Sequence, residues 1–216
     1  MNEITLNLIV LAVLLVVGGV IFLFVRRKQA QTEKELIKLA EQNGWKFESV
    51  RQPLKWGIRL STSEWTLEAL SVSSGRESES GSSNISMSTI WHADSPGSTL
   101  LIGGRTSQAD LGGFGNMLVR QTLSMALGAD ADGLTELHLG SQTFQQRFMV
   151  WAKSEMDVGN VIIPRVESLL MNWKGTSPLI KRTSAGLHIE LRGIHLKKAD
   201  DILRLVNLGI TLLEMA

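Results

Sequence analysis

The chain has 216 residues, and its 22 lysines and arginines nearly balance its 21 aspartates and glutamates, for a net charge of +1. Such a balance lacks the basic surface of nucleic-acid-binding proteins, so nucleic acid is excluded as an expected partner. The absence of cysteine excludes disulfides, thiolate metal sites and a cysteine nucleophile.

The amino-terminal region is a long apolar run. Residues 4–25 include no charged side chain, and Arg26, Arg27 and Lys28 follow at once. A helix of that length, at about 1.5 Å per residue, covers the ~30 Å hydrocarbon core of a bilayer. No basic residue precedes the run and no A-x-A site follows it, so a retained anchor over 1–28 is favoured over a cleaved signal peptide.

The basic residues lie on one side of this predicted span. The positive-inside rule then predicts the amino terminus outside and the carboxy-terminal domain in the cytoplasm. The expected location is the cell (inner) membrane, with a single pass and the lipid bilayer as a partner. Arg26, Arg27 and Lys28 form the flank of the anchor.

Behind the anchor, residues 29–44 predict a juxtamembrane helix that stops at Asn43-Gly44. Residues 45–216 form the predicted soluble domain. Alternating apolar residues indicate strands near 45–48, 56–60, 64–72, 85–91 and 99–102. The serine-rich segment 71–88 is interpreted as an exposed hairpin loop with serine-rich strand ends, and a phosphorylated or ligand-binding loop is the alternative.

A glycine-rich loop at 103–116 precedes a predicted helix near 117–125. Glycine loops before helices can hold an anion through backbone N–H groups. The candidate ligand residues are Arg105, Gly112, Gly113 and Gly115. The loop lacks the lysine-serine pair of a P-loop and the spacing of dinucleotide-binding loops.

The last third has the most regular pattern. Residues 136–140 and 142–152 alternate as strands, and 156–173 repeats apolar residues at helical spacing. Pro164 interrupts that repeat, so the element is either a kinked helix or two short helices with proline opening the second. A hairpin across 183–186 and a closing helix over 197–215 complete the chain. The predicted fold class is α+β: one transmembrane helix followed by an antiparallel sheet with interspersed helices.

The segment FQQRFMVWAKSEMDVGNVIIPRVESLL carries a strand with Phe144, Phe148 and Val150, and then Pro164 within a helix. This pattern resembles a group of bacterial membrane-attached domains of unknown function, over about residues 130–216. The resemblance implies a bacterial membrane protein, and it implies no activity.

Residues of catalytic type are present without a catalytic pattern. His92 with Asp94, or His188 with Glu190 and His195, offers ligands of the kind that hold zinc. No G-x-S-x-G elbow accompanies the serines, and Ser141 and Ser184 are interpreted as turn residues. The acidic residues Asp130, Asp132, Asp200 and Asp201 are interpreted as turn and helix-start residues.

These observations predict a domain for interaction or scaffolding, not an enzyme, with no cofactor and no metal. The expected partner is another membrane or cytoplasmic protein, and homo-oligomerisation is left open. The alternative is a small-ligand sensor or enzyme that uses the glycine-rich loop at 103–116. All six tryptophans lie after residue 44, where they are interpreted as core anchors.

Overall fold

The computed structural model describes residues 3–77, 83–105, 127–156, 158 and 161–215. The chain divides into two units, Met1–Gly44 and Trp45–Ala216. The predicted helix near 117–125 lies outside the described residues.

The first unit is one helix, α1 (Glu3–Asn43). Its carboxyl end is closed by Asn43, whose amide donates to the Leu39 carbonyl at 2.8 Å. Gly44 follows with φ +69°, a conformation that glycine adopts without steric cost. The predicted stop at Asn43-Gly44 is therefore confirmed.

The predicted membrane anchor over 1–28 is wrong. Among the residues that the structure describes, no helix is long and apolar enough to cross a membrane. A span requires about 20 apolar residues. The single-pass topology, the orientation and the inner-membrane location that depended on the anchor are corrected with it.

The second unit is built on one antiparallel sheet of nine strands, which confirms the α+β part of the predicted fold class. The strands are β1 (Lys46–Gln52), β2 (Lys55–Ser61), β3 (Trp65–Glu77), β4 (Ser83–Ala93), β5 (Leu100–Gly104), β6 (Thr135–Leu137), β7 (Phe148–Ala152), β8 (Leu179–Thr183) and β9 (Gly186–Arg192). Their order across the sheet is β1-β2-β3-β4-β9-β8-β5-β7-β6. The last hairpin therefore lies in the middle of the sheet.

Among the described residues, three helices accompany the sheet: α2 (Gln142–Arg147), α3 (Pro164–Met171) and α4 (Ala199–Glu214). A 3₁₀ turn spans Gly128–Ala131. The predicted strand over 142–152 is wrong in its first half, because α2 occupies those residues and only β7 is extended. The predicted helix over 156–173 is reduced to α3, which Pro164 opens at its first turn.

One face of the sheet is the core. A row of apolar residues crosses all nine strands by register: Phe47, Leu60, Leu67, Trp91, Ile189, Ile180, Ile102, Val150 and Leu137. Helix α4 packs on β4. A Cβ added at Gly209 would lie 2.4 Å from the Trp91 ring, so only glycine allows this close approach.

The tryptophans divide into two groups. Trp65, Trp91 and Trp173 are buried, and the Trp65 and Trp91 rings stack with centroids 6.2 Å apart. For these three, the interpretation as core anchors is confirmed. Trp56 is 38% exposed and does not fit that interpretation.

Candidate interaction surface

The hairpin of β3 and β4 extends past both neighbouring strands. Strand β2 pairs with β3 no further than Val72, and β9 pairs with β4 only from Ser88 to Ala93. The outer half of β4, Ser83–Met87, therefore has β3 on one side. On its other side no strand of the described chain pairs with it.

The backbone of this outer half presents hydrogen-bonding groups away from β3. Gly193, just past the end of β9, donates its N–H to the Met87 carbonyl at 2.9 Å. In an antiparallel ladder, every second residue directs both its N–H and its C=O to the same side. Ile85 lies two residues before Met87, so its backbone groups point to the same side, where β9 has already ended.

Large apolar side chains lie beside these groups. The pairings of Trp56 with Ser71, of Ser71 with Met87 and of Ser73 with Ile85 place Trp56, Ile85 and Met87 on the face of the sheet that forms the core. They are 38%, 46% and 43% exposed. These three residues are called the apolar patch. A cluster of exposed large apolar side chains is typical of a binding surface.

The segment 193–198 covers part of the core face of the sheet. The buried Ser71 hydroxyl shares a 2.7 Å hydrogen bond with Nδ1 of His195. Thr89 donates its hydroxyl to the Ile194 carbonyl at 2.8 Å and accepts from the Leu196 N–H at 3.0 Å. These contacts hold the segment over β3 and β4, where Ser71 lies between Trp56 and Met87 in the register of the sheet.

Strand β1 and the outer half of β4 differ in the charge of their edges. Strand β1, the first strand of the sheet, carries Lys46, Glu48 and Arg51. The sequence between Glu79 and His92 includes no lysine, arginine, aspartate or glutamate. Charged side chains on edge strands discourage pairing with other chains. The outer half of β4 lacks that protection.

The histidines are divided between the two faces of the sheet. His92 and His188 are cross-strand partners with stacked rings whose centroids are 5.7 Å apart. Burial, and then the charges of His92 and Lys181, hold the pKa of His188 below its ordinary value. His195 bonds Ser71 on the other face, and burial, followed by the charge of Lys197, lowers its pKa.

The structure does not bring a metal-binding set together. The Glu190 carboxylate lies 3.1 Å from the Arg192 guanidinium and 3.8 Å from the Lys181 ammonium group. Because His195 lies on the opposite face, it does not join His188 and Glu190. Within the described part of the chain, no three histidine, aspartate or glutamate side chains are placed to hold a metal ion.

Arg105, the charged member of the predicted ligand loop, has partners within the fold. Its guanidinium contacts Glu136 at 2.5 Å and donates through Nε to the Gln145 carbonyl at 3.0 Å. Its backbone N–H donates to the Arg147 carbonyl at 2.7 Å. These contacts join β5 to β6 and α2. The other members of the predicted loop, Gly112, Gly113 and Gly115, lie outside the described residues.

The serines and acidic residues that the sequence assigned to turns have structural roles. Ser141 caps α2 by accepting from the Phe144 N–H, and it bonds the Glu167 carboxylate. Asp200 and Asp201 lie in the first turn of α4, and Asp130 lies in the 3₁₀ turn. The interpretation as turn or helix-start residues is confirmed for Asp130, Asp200 and Asp201, whereas Ser141 is a helix cap and not a turn residue.

Sequence reasoning placed Ile85 and Met87 on a strand over 85–91, but it missed the start of β4 and its free edge. It assigned much of 71–88 to a loop, whereas β3 continues to Glu77 and β4 starts at Ser83. The signal was present in the alternation of serine with Ile85 and Met87. That alternation predicts a strand but cannot show that one of its edges is free.

Comparison of the chain with protein-family models, with curated proteins and with solved structures found no match. The resemblance to bacterial membrane-attached domains stays a prediction, and the surface on β4 has to be interpreted from its own geometry.

Proposed function

We propose that this chain is a non-catalytic interaction module that binds an extended segment of a protein partner along the outer half of β4. The observation that carries the proposal is the outward-facing backbone of Ile85 beside the exposed apolar patch. A strand placed in line with β9 would receive backbone hydrogen bonds from Ile85. Its side chains would contact Ile85 and Met87.

This arrangement matches the physical requirements of strand addition. Backbone hydrogen bonds supply affinity, and side chains at alternate positions supply specificity. The apolar patch would be removed from water on binding, at about 25 cal/mol per Å². A short edge supports a small interface, so we expect weak or transient binding.

The alternative of a ligand sensor or enzyme at the glycine-rich loop has no comparable support. It requires Arg105 as the charge partner of a ligand, and Arg105 already pairs with Glu136 and Gln145.

The proposal is tested by photo-crosslinking from the full chain in cells that naturally make it. A photoreactive residue replaces Met87 in one variant and Val72 in the control. Val72 is 40% exposed, close to the 43% of Met87, but lies on the other face of the sheet. We expect Met87 to crosslink to one defined protein segment, mapped by mass spectrometry, in several-fold excess over Val72.

A second substitution tests whether the crosslink from Met87 depends on the free edge of β4. Ile85→Lys should reduce crosslinking from Met87 several-fold, because it places a charge on the unprotected edge. A synthetic peptide of the mapped segment should compete with the crosslink. Crosslinks spread over many proteins, or crosslinks insensitive to Ile85→Lys, would contradict the proposal.

A further inference from the structure

We propose that Arg182 is the centre of a binding site for a small oxyanion, a carboxylate or a phosphate group. Arg182 lies on β8 and pairs with Leu187 of β9 and with Leu100 of β5. Leu187 pairs in turn with Ala93, at the opposite end of β4 from its outer half. The site is therefore separate from the surface of the proposed function, and neither proposal depends on the other.

Arg182 carries a charge that the fold takes out of water. Its side chain is 8% exposed, and the leucines that pair with it, Leu100 and Leu187, are also buried. Its Nε is inaccessible and has no hydrogen-bond partner in the described part of the chain. A guanidinium group stays protonated in proteins, so loss of the proton cannot relieve the cost of burial. A buried charge is destabilising unless another group neutralises it.

Other arginines of the described chain show how such a charge is neutralised. Several form ion pairs with aspartate or glutamate: Arg59, Arg105, Arg165, Arg192 and Arg204. Arg147 instead donates to two backbone carbonyls. Within the same described residues, no oxygen accepts a hydrogen bond from Arg182. A bound oxyanion would supply the oxygens that Arg182 lacks.

Gly97 packs directly against the guanidinium group. A Cβ added at this glycine would collide with Nε, Cζ and Nη2 of Arg182. The Gly97 N–H donates to the Thr183 carbonyl at 3.2 Å, which holds this part of the chain beside the end of β8. Gly97 does not have a positive φ, so the space that Arg182 occupies is what requires glycine here. Because Gly97 is itself half-buried, the guanidinium group lies just below the surface.

An oxyanion fits the chemistry of this site. A guanidinium group presents its N–H donors as a planar fork that matches two oxygens of a carboxylate or a phosphate. Because Nε is inaccessible, Nη1 and Nη2 of Arg182 supply the fork. Such hydrogen bonds are stronger at a site partly shielded from water than at an exposed arginine. Chloride has the same sign of charge but cannot accept at two oxygens.

Thermal unfolding of the full chain in Tris buffer tests the site. Sodium phosphate, sodium acetate and sodium chloride are compared at equal ionic strength. An anion that binds the folded chain raises its Tm, by roughly 3–5 °C at about ten times the dissociation constant. We expect this rise with phosphate or acetate and little change with chloride. The oxyanion that acts at the lower concentration identifies the chemical group of the ligand.

Arg182→Met removes the charge and keeps most of the volume. This variant should lose the rise in Tm. Without added anion it should melt no lower than wild type, because an apolar side chain replaces an unpaired buried charge. Arg192→Met is the matched control, since Arg192 is 60% exposed, and it should retain the full rise. Gly97→Ala should weaken binding several-fold, because its methyl group displaces the guanidinium group.

The Nε–H signal of Arg182 in an NMR spectrum, assigned through its proximity to the Gly97 Hα atoms, gives a readout in the wild-type chain. We expect this signal to shift with the oxyanion that raises the Tm. No rise with either oxyanion, an equal rise with chloride, or a rise that survives Arg182→Met would overturn the inference. A signal that stays in place during the titration would also overturn it.

Discussion

At the scale of single residues, the sheet gives chemically similar side chains different roles. His92 and His188 stack on one face, and His195 bonds Ser71 on the other. Arg105 joins three elements of the fold, whereas Arg192 is mostly exposed and pairs with Glu190. The sequence presents the three histidines and Arg105 as candidate functional residues, and their surroundings in the fold decide which are structural.

His188 makes folding stability depend on pH. Its pKa is lowered in the folded chain, chiefly by burial, while in the unfolded chain histidine titrates near about 6.5. The unfolded state therefore binds more protons as the pH falls through that value, and stability decreases. The charges of His92 and Lys181 act in the same direction, and those of Asp94 and Glu190 oppose them.

We expect the urea midpoint of the wild-type chain to fall between about pH 8 and about pH 5.5, and His188→Gln to reduce that fall. His195, whose pKa is also lowered, should preserve part of the pH dependence in this variant. An identical pH dependence in wild type and His188→Gln would contradict the prediction.

At the scale of elements, the sequence analysis fails where an element depends on a partner far along the chain. Residues 142–147 alternate like a strand, but the Ser141 cap and its bonds to Glu167 support one short helix there. Glu167 belongs to α3, far along the chain, so the sequence near 142 gives no sign of it. Pro164, in contrast, opens α3, which was one of the two predicted alternatives, because the effect of proline on a helix start is local.

Arg147 closes the carboxyl end of α3. It donates to the Met171 and Trp173 carbonyls, both at 2.6 Å. Arg147→Met should reduce the free energy of unfolding by about 1.5–3 kcal/mol, the range for hydrogen bonds from a charged donor. Urea unfolding of the purified chain measures this loss.

Arg165→Met is the matched control within α3. Arg165 pairs with Glu214 at 3.6 Å, and both side chains are more than half exposed. Exposed pairs contribute little, so we expect a loss below about 0.5 kcal/mol. Equal losses in the two variants would show that Arg147 does not hold the end of α3.

At the scale of the whole molecule, the carboxy-terminal residues complete a sheet that the amino-terminal strands begin. Strand β9 pairs directly with β4, and the last helix covers β4 with its buried residues Ile202, Leu205, Val206, Leu208, Gly209, Thr211 and Leu212. The core at Trp91 cannot form before the end of the chain is in place.

Removing residues 199–216 should abolish cooperative unfolding of the remaining chain. Each large aliphatic side chain buried by α4 contributes about 1.5–3 kcal/mol. Together these contributions are as large as the whole free energy of unfolding of a typical domain, about 5–15 kcal/mol. Tryptophan fluorescence during urea titration measures the transition. Removing only Met215 and Ala216 is the control, and a truncated chain with the wild-type midpoint would contradict the prediction.

The sequence by itself determined the features that depend on neighbouring residues. Alternation identified most of the strands, Asn43-Gly44 ended α1, and the 183–186 turn defined the last hairpin. The spacing of apolar residues from Ile202 to Leu212 predicted α4 to within two residues at its start and one at its end. Local backbone preference and side-chain periodicity suffice for such elements.

Only the tertiary structure decided which strands meet and which edge stays free. The insertion of β9 beside β4 brings His188 to His92, and its end at Arg192 leaves Ile85 without a strand on that side in the described chain. Pairing depends on contacts between residues far apart in the chain, and such contacts leave no pattern in the sequence near either partner.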